Sequence, residues 1–355
     1  MLSTIVFSIA ISIPGLEGSG YKAACQRPSN WQIKYFKVQF WAPPLWNIFF
    51  ADVASVTEEC EQIFADDLNV FCSFSRTCSD TQIRREMDEQ RRDVHRWGAK
   101  NRVQFEASKE GFAIIHPIRG VGDNFKLLGC IVDCKMLMGD AVEAIVNKVR
   151  PKLKSLLRAR RFYAIQDMIL QYKTHILPII ECHTGAIFHA STSTLARLDR
   201  IQSSFLNALN LTPEEAFERY NLAPLCLRRD IAILGLLYKC TLNIVHPSLR
   251  RLFWGRYRPA FTTMGRRHNK PLHTHIEDLR LQPGLYQRSI FNMSNIYNLL
   301  PQAFVDVSTI QAFQSKLTAV ARDKCRNGRP NWDSFLSARA YDFERIRGNP
   351  LFRLV

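Results

Sequence analysis

The sequence predicts an α+β protein, with strands gathered in its first 140 or so residues and helices after them. Three observations carry that prediction. Residues 61–74 (EQIFADDLNVFCSF) place apolar β-formers on both sides of a polar centre, the pattern of a hairpin. Residues 125–133 (FKLLGCIVD) form a second short apolar run around a Leu-Gly pair. Beyond Gly139, apolar residues return at spacings of three and four, which is helical.

The chain has 355 residues, 46% of them hydrophobic, enough for two or three domains with a sizeable core and too apolar for global disorder. Lys and Arg total 48 against 32 Asp and Glu, a net charge of +16. That balance favours a polyanionic partner, of which nucleic acid is the commonest.

Taken in order, residues 1–42 stay unassigned. Residues 2–13 (LSTIVFSIAISI) resemble the apolar core of a secretory signal, but the first basic residue is Lys22, where a signal has a basic start. A buried strand is the competing reading. Pro14, Gly15, Gly18 and Gly20 then break any long element. From Pro43-Pro44, Leu45, Ile48, Phe49, Val53 and Val56 mark an amphipathic helix. The hairpin of residues 61–74 sets Asp66 and Asp67 at or near its turn. Residues 81–97 place Ile83, Met87, Val94 and Trp97 on one helical face. A strand pair is expected at 103–105 and 112–116, and a strand or hairpin at 125–133. Val142, Ile145, Val146 and Val149 form one helical stripe, continued by Leu153, Leu156 and Leu157, that Pro151 should kink or split. Further helices are expected at 163–177, 192–210, 213–220, 228–245 and 308–325, with a loop-heavy region over 246–290.

The ten cysteines form no C-x-x-C pair, and neither Cys130/Cys134 nor His273/His275 has the partners of a zinc site. Reduced, mostly buried thiols are expected. No apolar run reaches the length of a membrane span.

The tetrapeptide Phe64-Ala65-Asp66-Asp67 holds the chemistry. Two adjacent carboxylates at a hairpin turn repel unless a cation sits between them, and hard oxygen ligands suit Mg²⁺ or Mn²⁺. Two such ions can activate a hydroxyl and stabilise a leaving phosphate oxygen, the chemistry of nucleotide transfer. Asp is also a favoured turn residue, so the pair alone decides little.

FADD resembles the catalytic hairpin of reverse transcriptases, and other segments resemble the same family in the same order. PPLWNIFFADV (43–53) is similar to the end of the template-supporting motif. WGAKNRVQFEASKE (97–110) is similar to the next motif, with Asn101, Phe105 and Lys109 in place. FKLLGCIVD is similar to the primer-grip hairpin. YNLLPQAFVDVSTIQAFQSKL (297–317) is similar to a tail of elements lacking long terminal repeats, the LINE-type retrotransposons. The resemblance covers roughly residues 43–320.

It implies a partial palm over 43–138, a helical thumb over 139–245 and a basic, loosely packed C-terminal extension over 246–355. Asp66 is then the metal-binding aspartate, with Asp67 as its supporting ligand and Mg²⁺ or Mn²⁺ as the cofactor. Lys109 has a general-acid role toward pyrophosphate. Leu127, Leu128 and Gly129 approach the primer end. The partners are an RNA template and a DNA primer, with no small-molecule cofactor, and the family is nuclear or cytoplasmic.

Lys148, Arg150, Lys152, Lys154, Arg158, Arg160 and Arg161 fall within fourteen residues with leucines interleaved, as a thumb facing phosphates requires. Arg250, Arg251, Arg266, Arg267 and Lys270 form a weaker second basic patch.

Two departures matter. The family's first palm aspartate should precede the template-supporting motif, yet no Asp stands before Asp52, which lies inside the FFADV helix. The segment KVQFWAPPLWN also lacks the Gln-Gly pair expected before the double proline, so the text changes character near residue 42. No first palm strand matches, which predicts an exposed sheet edge and poor solubility. The expectation is a truncated RNA-directed DNA polymerase, inactive alone. The alternatives are a non-catalytic nucleic-acid-binding module and a secreted, disulfide-containing protein.

Overall fold

The computed structural model describes residues 3–10, 44–57, 61–64, 67–75, 78–105, 110–116, 120–122, 124–254, 268–274 and 283–340. They form two compact units, Met1–Met136 and Leu137–Val355.

The first unit is built on an antiparallel sheet. Its strands are β1 (Ser3–Ala10), β2 (Glu61–Phe64), β3 (Asp67–Phe74), β4 (Gly111–Ile115) and β5 (Val121–Gly122), in the order β2-β3-β1-β4-β5. Residues 3–10, for which a buried strand competes with a signal segment in the sequence, supply the central strand. β1 runs antiparallel to β3, Ser3 opposite Phe74 and Ala10 opposite Asp67, and antiparallel to β4 on its other side. The edge expected to lie open is therefore paired. The run STIVFSIA, rich in β-branched residues, suits a strand flanked by two others. The sheet's edges are instead β2 and β5, of four and two residues. Short edge strands offer little template for unwanted pairing.

Two helices cover the sheet, α1 (residues 44–51) and α2 (Asp80–Asn101). Along β3, Leu68, Val70, Cys72 and Phe74 are buried at period two. They pack with Phe50 and Val53, and with Ile83, Met87, Val94 and Trp97, the α2 face read from the sequence. Ser79 and Gln82 close a reciprocal capping box at the start of α2. Trp97 stacks edge-on against Phe50 and donates its indole N–H to Asp52 at 3.1 Å. Asp52 thus anchors α2 to the turn after α1.

The expected strand pair at 103–105 and 112–116 does not form. The Val103 amide instead donates to the Gly98 carbonyl, folding the chain back on the end of α2, while β4 pairs with β1 and β5. Strands β6 (Phe125–Leu127) and β7 (Cys130–Val132) make a separate hairpin.

The second unit is helical. Its first part holds α3 (Gly139–Arg158), α4 (Ile165–His175), α5 (Leu177–Glu181), α6 (Thr184–Ile187), α7 (Thr192–Ala208), α8 (Pro213–Tyr220) and α9 (Leu225–Thr241). After α10 (Pro247–Arg250) and the antiparallel pair β8 (Phe253–Trp254) with β9 (His273–Thr274) come α11 (Pro283–Gln287), α12 (Ile290–Asn298), α13 (Gln302–Val305) and α14 (Ile310–Arg326). Helix α3 runs unbroken through Pro151. The carbonyl that loses its proline partner belongs to Asn147, an exposed residue, where water can replace the missing donor.

Among the described residues after 245, helices α12 and α14 are packed into a core. Leu234, Leu237 and Tyr238 of α9 share one buried core with Met293, Ile296 and Tyr297 of α12 and with Phe313 and Leu317 of α14. Tyr238 and Phe313 stack with ring centroids 4.5 Å apart. Gly235 lets Gln314 of α14 lie directly on the α9 backbone, where a Cβ would collide. Sequence spacing locates α9 and α14 but neither α12 nor the meeting of their apolar faces.

Ion pairs fix α9 to its neighbours. Arg228 grips Glu181 of α5 at 2.5 and 2.9 Å, and Arg229 grips Asp199 of α7 at 2.8 and 2.9 Å. Next to them Asp230 is buried. Desolvation pushes its carboxyl up to about 7, against the pull of Arg229 and Arg339 and a hydrogen bond with Ser337. Folded Asp230 thus holds its proton more tightly than the unfolded chain, whose aspartates titrate near 3.9. Its contribution to stability is full below about pH 4 and is lost as pH rises to about 7. Asp230→Asn, which cannot ionise, should therefore gain in melting temperature over the wild type between pH 5 and pH 8. Thermal denaturation of both proteins across that range checks it; a constant difference would refute the assignment.

Candidate nucleic-acid interface

The hairpin carrying the paired aspartates forms as read. Phe64 and Asp67 are opposite one another at the end of the β2–β3 ladder, so residues 65 and 66 connect the strands. Asp67 opens β3 and is half-buried. Asp66 and Lys109 lie outside the described residues.

Across the sheet from Asp67 stands Ala10, the last residue of β1, and neither it nor Ser8 carries a carboxylate. Among the described residues no group of three His, Cys, Asp or Glu could hold a metal ion. A two-ion centre needs carboxylates from separate strands, and of the proposed pair only Asp67 is among the described residues.

Leu128 and Gly129 form the two-residue turn of the β6–β7 hairpin, both left-handed, with φ 46° and 84°. Such turns match the twist of the flanking strands and favour Asn-Gly. A leucine in that conformation is strained, and Leu128 is 52% exposed besides, so no core packing explains its side chain.

In the second unit all seven predicted basic residues, Lys148, Arg150, Lys152, Lys154, Arg158, Arg160 and Arg161, are exposed. Their helix is amphipathic. Val142, Ile145, Val146, Val149 and Leu153 are buried, and the charges stand on the remaining surface. Arg150, Lys154 and Arg158 follow one another at intervals of four, a ridge roughly 12 Å long; Lys148 and Lys152 make a second ridge beside it. The acids of α3 stand at its start, Asp140 and Glu143, and Glu143 is paired with Arg197. No acidic residue follows until Asp167. Placing anions at the N-terminus and cations toward the C-terminus also complements the helix dipole. Beside Lys148, His183 has its pKa lowered by burial and then by that lysine's charge.

The second basic patch divides. Arg250 and Arg251 are exposed, and residues 266 and 267 lie outside the described residues. Lys270 is occupied by the fold, donating to the Val305 carbonyl at 2.7 Å and lying over the Tyr238 ring.

Sequence reasoning overlooked two residues. After α3 the chain makes one tight turn over Arg160–Phe162 before α4. Phe162 is 71% exposed and Tyr163 is 53% exposed. The signal was legible as RRFYAI, an aromatic pair set directly against two arginines.

No membrane-spanning helix occurs among the described residues. Cys78, Cys134, Cys182, Cys226, Cys240 and Cys325 are unbridged thiols, and burial pushes those of Cys226 and Cys240 up to about 12 and 11, so they stay protonated and inert. No family model, curated protein or solved structure matches the chain.

Proposed function

We propose that this chain derives from the reverse transcriptase of a LINE-type retrotransposon and acts, in isolation, as a nucleic-acid-binding protein without polymerase activity. The observation that carries the reading is the ordered run of motifs from PPLWNIFFADV through FADD and FKLLGCIVD to the basic helix. Two features of the fold support it. The FADD and FKLLGCIVD segments are both antiparallel hairpins, and the basic residues of α3 are all available to solvent.

In this reading Asp66 and Asp67 are the remaining pair of palm carboxylates. Lys109 faces the phosphates of an incoming nucleotide, and Leu128-Gly129 touches the primer end. The exposed lysines and arginines of α3 hold the sugar–phosphate backbone of a primer–template, which fixes position and carries little sequence information. β1 ends in Ala10 opposite Asp67, which supports the reading that no third carboxylate is there to share Mg²⁺ or Mn²⁺. An ion held by one adjacent pair is poorly fixed, and in-line transfer needs both ions in place.

RNA-templated primer extension by the purified chain, with Mg²⁺ or Mn²⁺, beside a primer–template binding assay on the same sample, tests this. Binding without extension is expected. Extension that disappears in Asp66→Ala would overturn the inactivity; absence of binding at low salt would overturn the binding role.

A further inference from the structure

We infer that Phe162 and Tyr163 form a stacking platform for the bases of a single-stranded nucleic acid whose backbone lies along α3; this rests on the nucleic-acid-binding part of the reading above.

Residues 162–165, Phe-Tyr-Ala-Ile, are consecutive, apolar and exposed, which folding alone does not favour. Isolated apolar residues on a surface are ordinary, but two adjacent aromatic rings with more than half their area in solvent are not. The turn that presents them is well defined. The Phe162 amide donates to the Ala159 carbonyl at 2.9 Å, and Tyr163 is extended, leading into the start of α4. The rings are thus held at a corner between two helices.

Their surroundings select the partner. Seven cations and no acids lie between Glu143 and Asp167. Arg161, next to the rings in sequence, places its guanidinium 4.9 Å from the Phe162 ring centroid. That contact covers one face of the ring, orients it and leaves the other face for a ligand. A track of cations ending in exposed aromatic rings is how proteins hold single strands: phosphates follow the charges and unpaired bases stack on the rings. A duplex keeps its bases stacked inside and can use only the charges. Neutral apolar partners gain nothing from the cations, and acidic peptides gain nothing from flat rings.

The experiment compares the full chain with Phe162→Ala/Tyr163→Ala and with Phe162→Leu/Tyr163→Leu. Labelled twelve-residue oligo-U, oligo-dT and a duplex of the same length serve as probes in fluorescence anisotropy, with salt titrated. The alanine pair should weaken single-strand binding about ten- to hundredfold, leave the salt dependence unchanged and leave duplex binding within about twofold. The leucine pair should fare no better, because bulk without a ring does not stack. Oligo-U and oligo-dT distinguish RNA from DNA as the natural strand.

Equal losses on duplex, full binding by the leucine pair, or single-strand binding unmoved by the alanine pair would each overturn the proposal while leaving nucleic-acid binding intact. Failure of the wild-type chain to bind any probe removes both. Since a basic segment with exposed aromatics also suits anionic lipid, the same proteins are sedimented with phosphatidylserine vesicles. Vesicle binding that depends on the pair, with single-strand binding that does not, would reassign the surface to a membrane.

Discussion

Replacing Arg150, Lys154 and Arg158 together by glutamine is expected to weaken binding to a primer–template on the order of fiftyfold at low salt. These three side chains form one exposed ridge of α3. Non-specific binding of roughly 6–8 kcal/mol, shared among about eight phosphate contacts, assigns just under 1 kcal/mol to each, or about fourfold. Three lost contacts multiply to the stated figure. The same loss should lower the slope of log affinity against log salt by about 3 on the duplex, because fewer counterions are released.

A control separates position from bulk charge. Arg85, Arg92 and Lys100 are exposed on α2, in the other unit, and their neutralisation changes the net charge by the same amount, from +16 to 16 − 3 = +13. Anisotropy titrations at several salt concentrations should show a small effect from that triple variant. Equal effects from both would mean that the chain attracts nucleic acid only through its overall charge and that α3 has no special part.

Phe313→Ala is expected to cost about 3–5 kcal/mol, a large fraction of what a domain has. Phe313 is fully buried, stacks on Tyr238 of α9 and lies near Tyr297 of α12. Its removal leaves a cavity between three helices, two of which are also in contact where Gln314 of α14 lies on Gly235 of α9. Tyr238 also donates its hydroxyl to the carbonyls of Val305 and Val307, so a ring that tilts into the cavity would loosen that tie as well. Because α9 is bound to α5 and α7 by Arg228 and Arg229, the loss should spread to the helices before it.

Urea denaturation followed by circular dichroism measures the effect. A shift below about 1 kcal/mol would show that the segment after residue 283 packs weakly, as the sequence had suggested. Phe162→Ala serves as the comparison. That ring is exposed, and its loss should stay within about 0.5 kcal/mol.

Much of the local structure is legible in the sequence. The face of α2, with Ile83, Met87, Val94 and Trp97, follows from helical spacing and is buried as a set. The stripe of α3 is equally plain. Both hairpins were visible because apolar β-formers flank short polar or Leu-Gly centres. Errors came where a residue's fate depended on something distant in sequence. Residues 103–105 have strand-like composition, but the amide of Val103 satisfies a helix end instead. Pro151 should interrupt a helix, yet at an exposed position the helix tolerates it. The second basic patch looked like a binding surface, while Lys270 serves a carbonyl of its own fold.

The candidate site divides in the same way. Residue types and their order suggested the Asp66-Asp67 pair, the Leu128-Gly129 turn and the basic helix, because those signals are local. What stands beside Asp67 is not local. The strand between β3 and β4 comes from residues some sixty positions earlier and brings Ala10, with no carboxylate, to that end of the sheet.

The sequence by itself determined the charge, the periodic faces and the chemistry-bearing residues, since each depends on neighbours within a few positions along one chain segment. Only the tertiary structure decided which faces meet. It made Ser3–Ala10 the central strand of the first unit. It buried α14 against α9 to complete the second unit's core. It also left Phe162 and Tyr163 in solvent at the end of the basic helix. Burial is a property of the packed whole: the same phenylalanine is a core residue at 313 and a free surface at 162 because of what the rest of the chain brings to it.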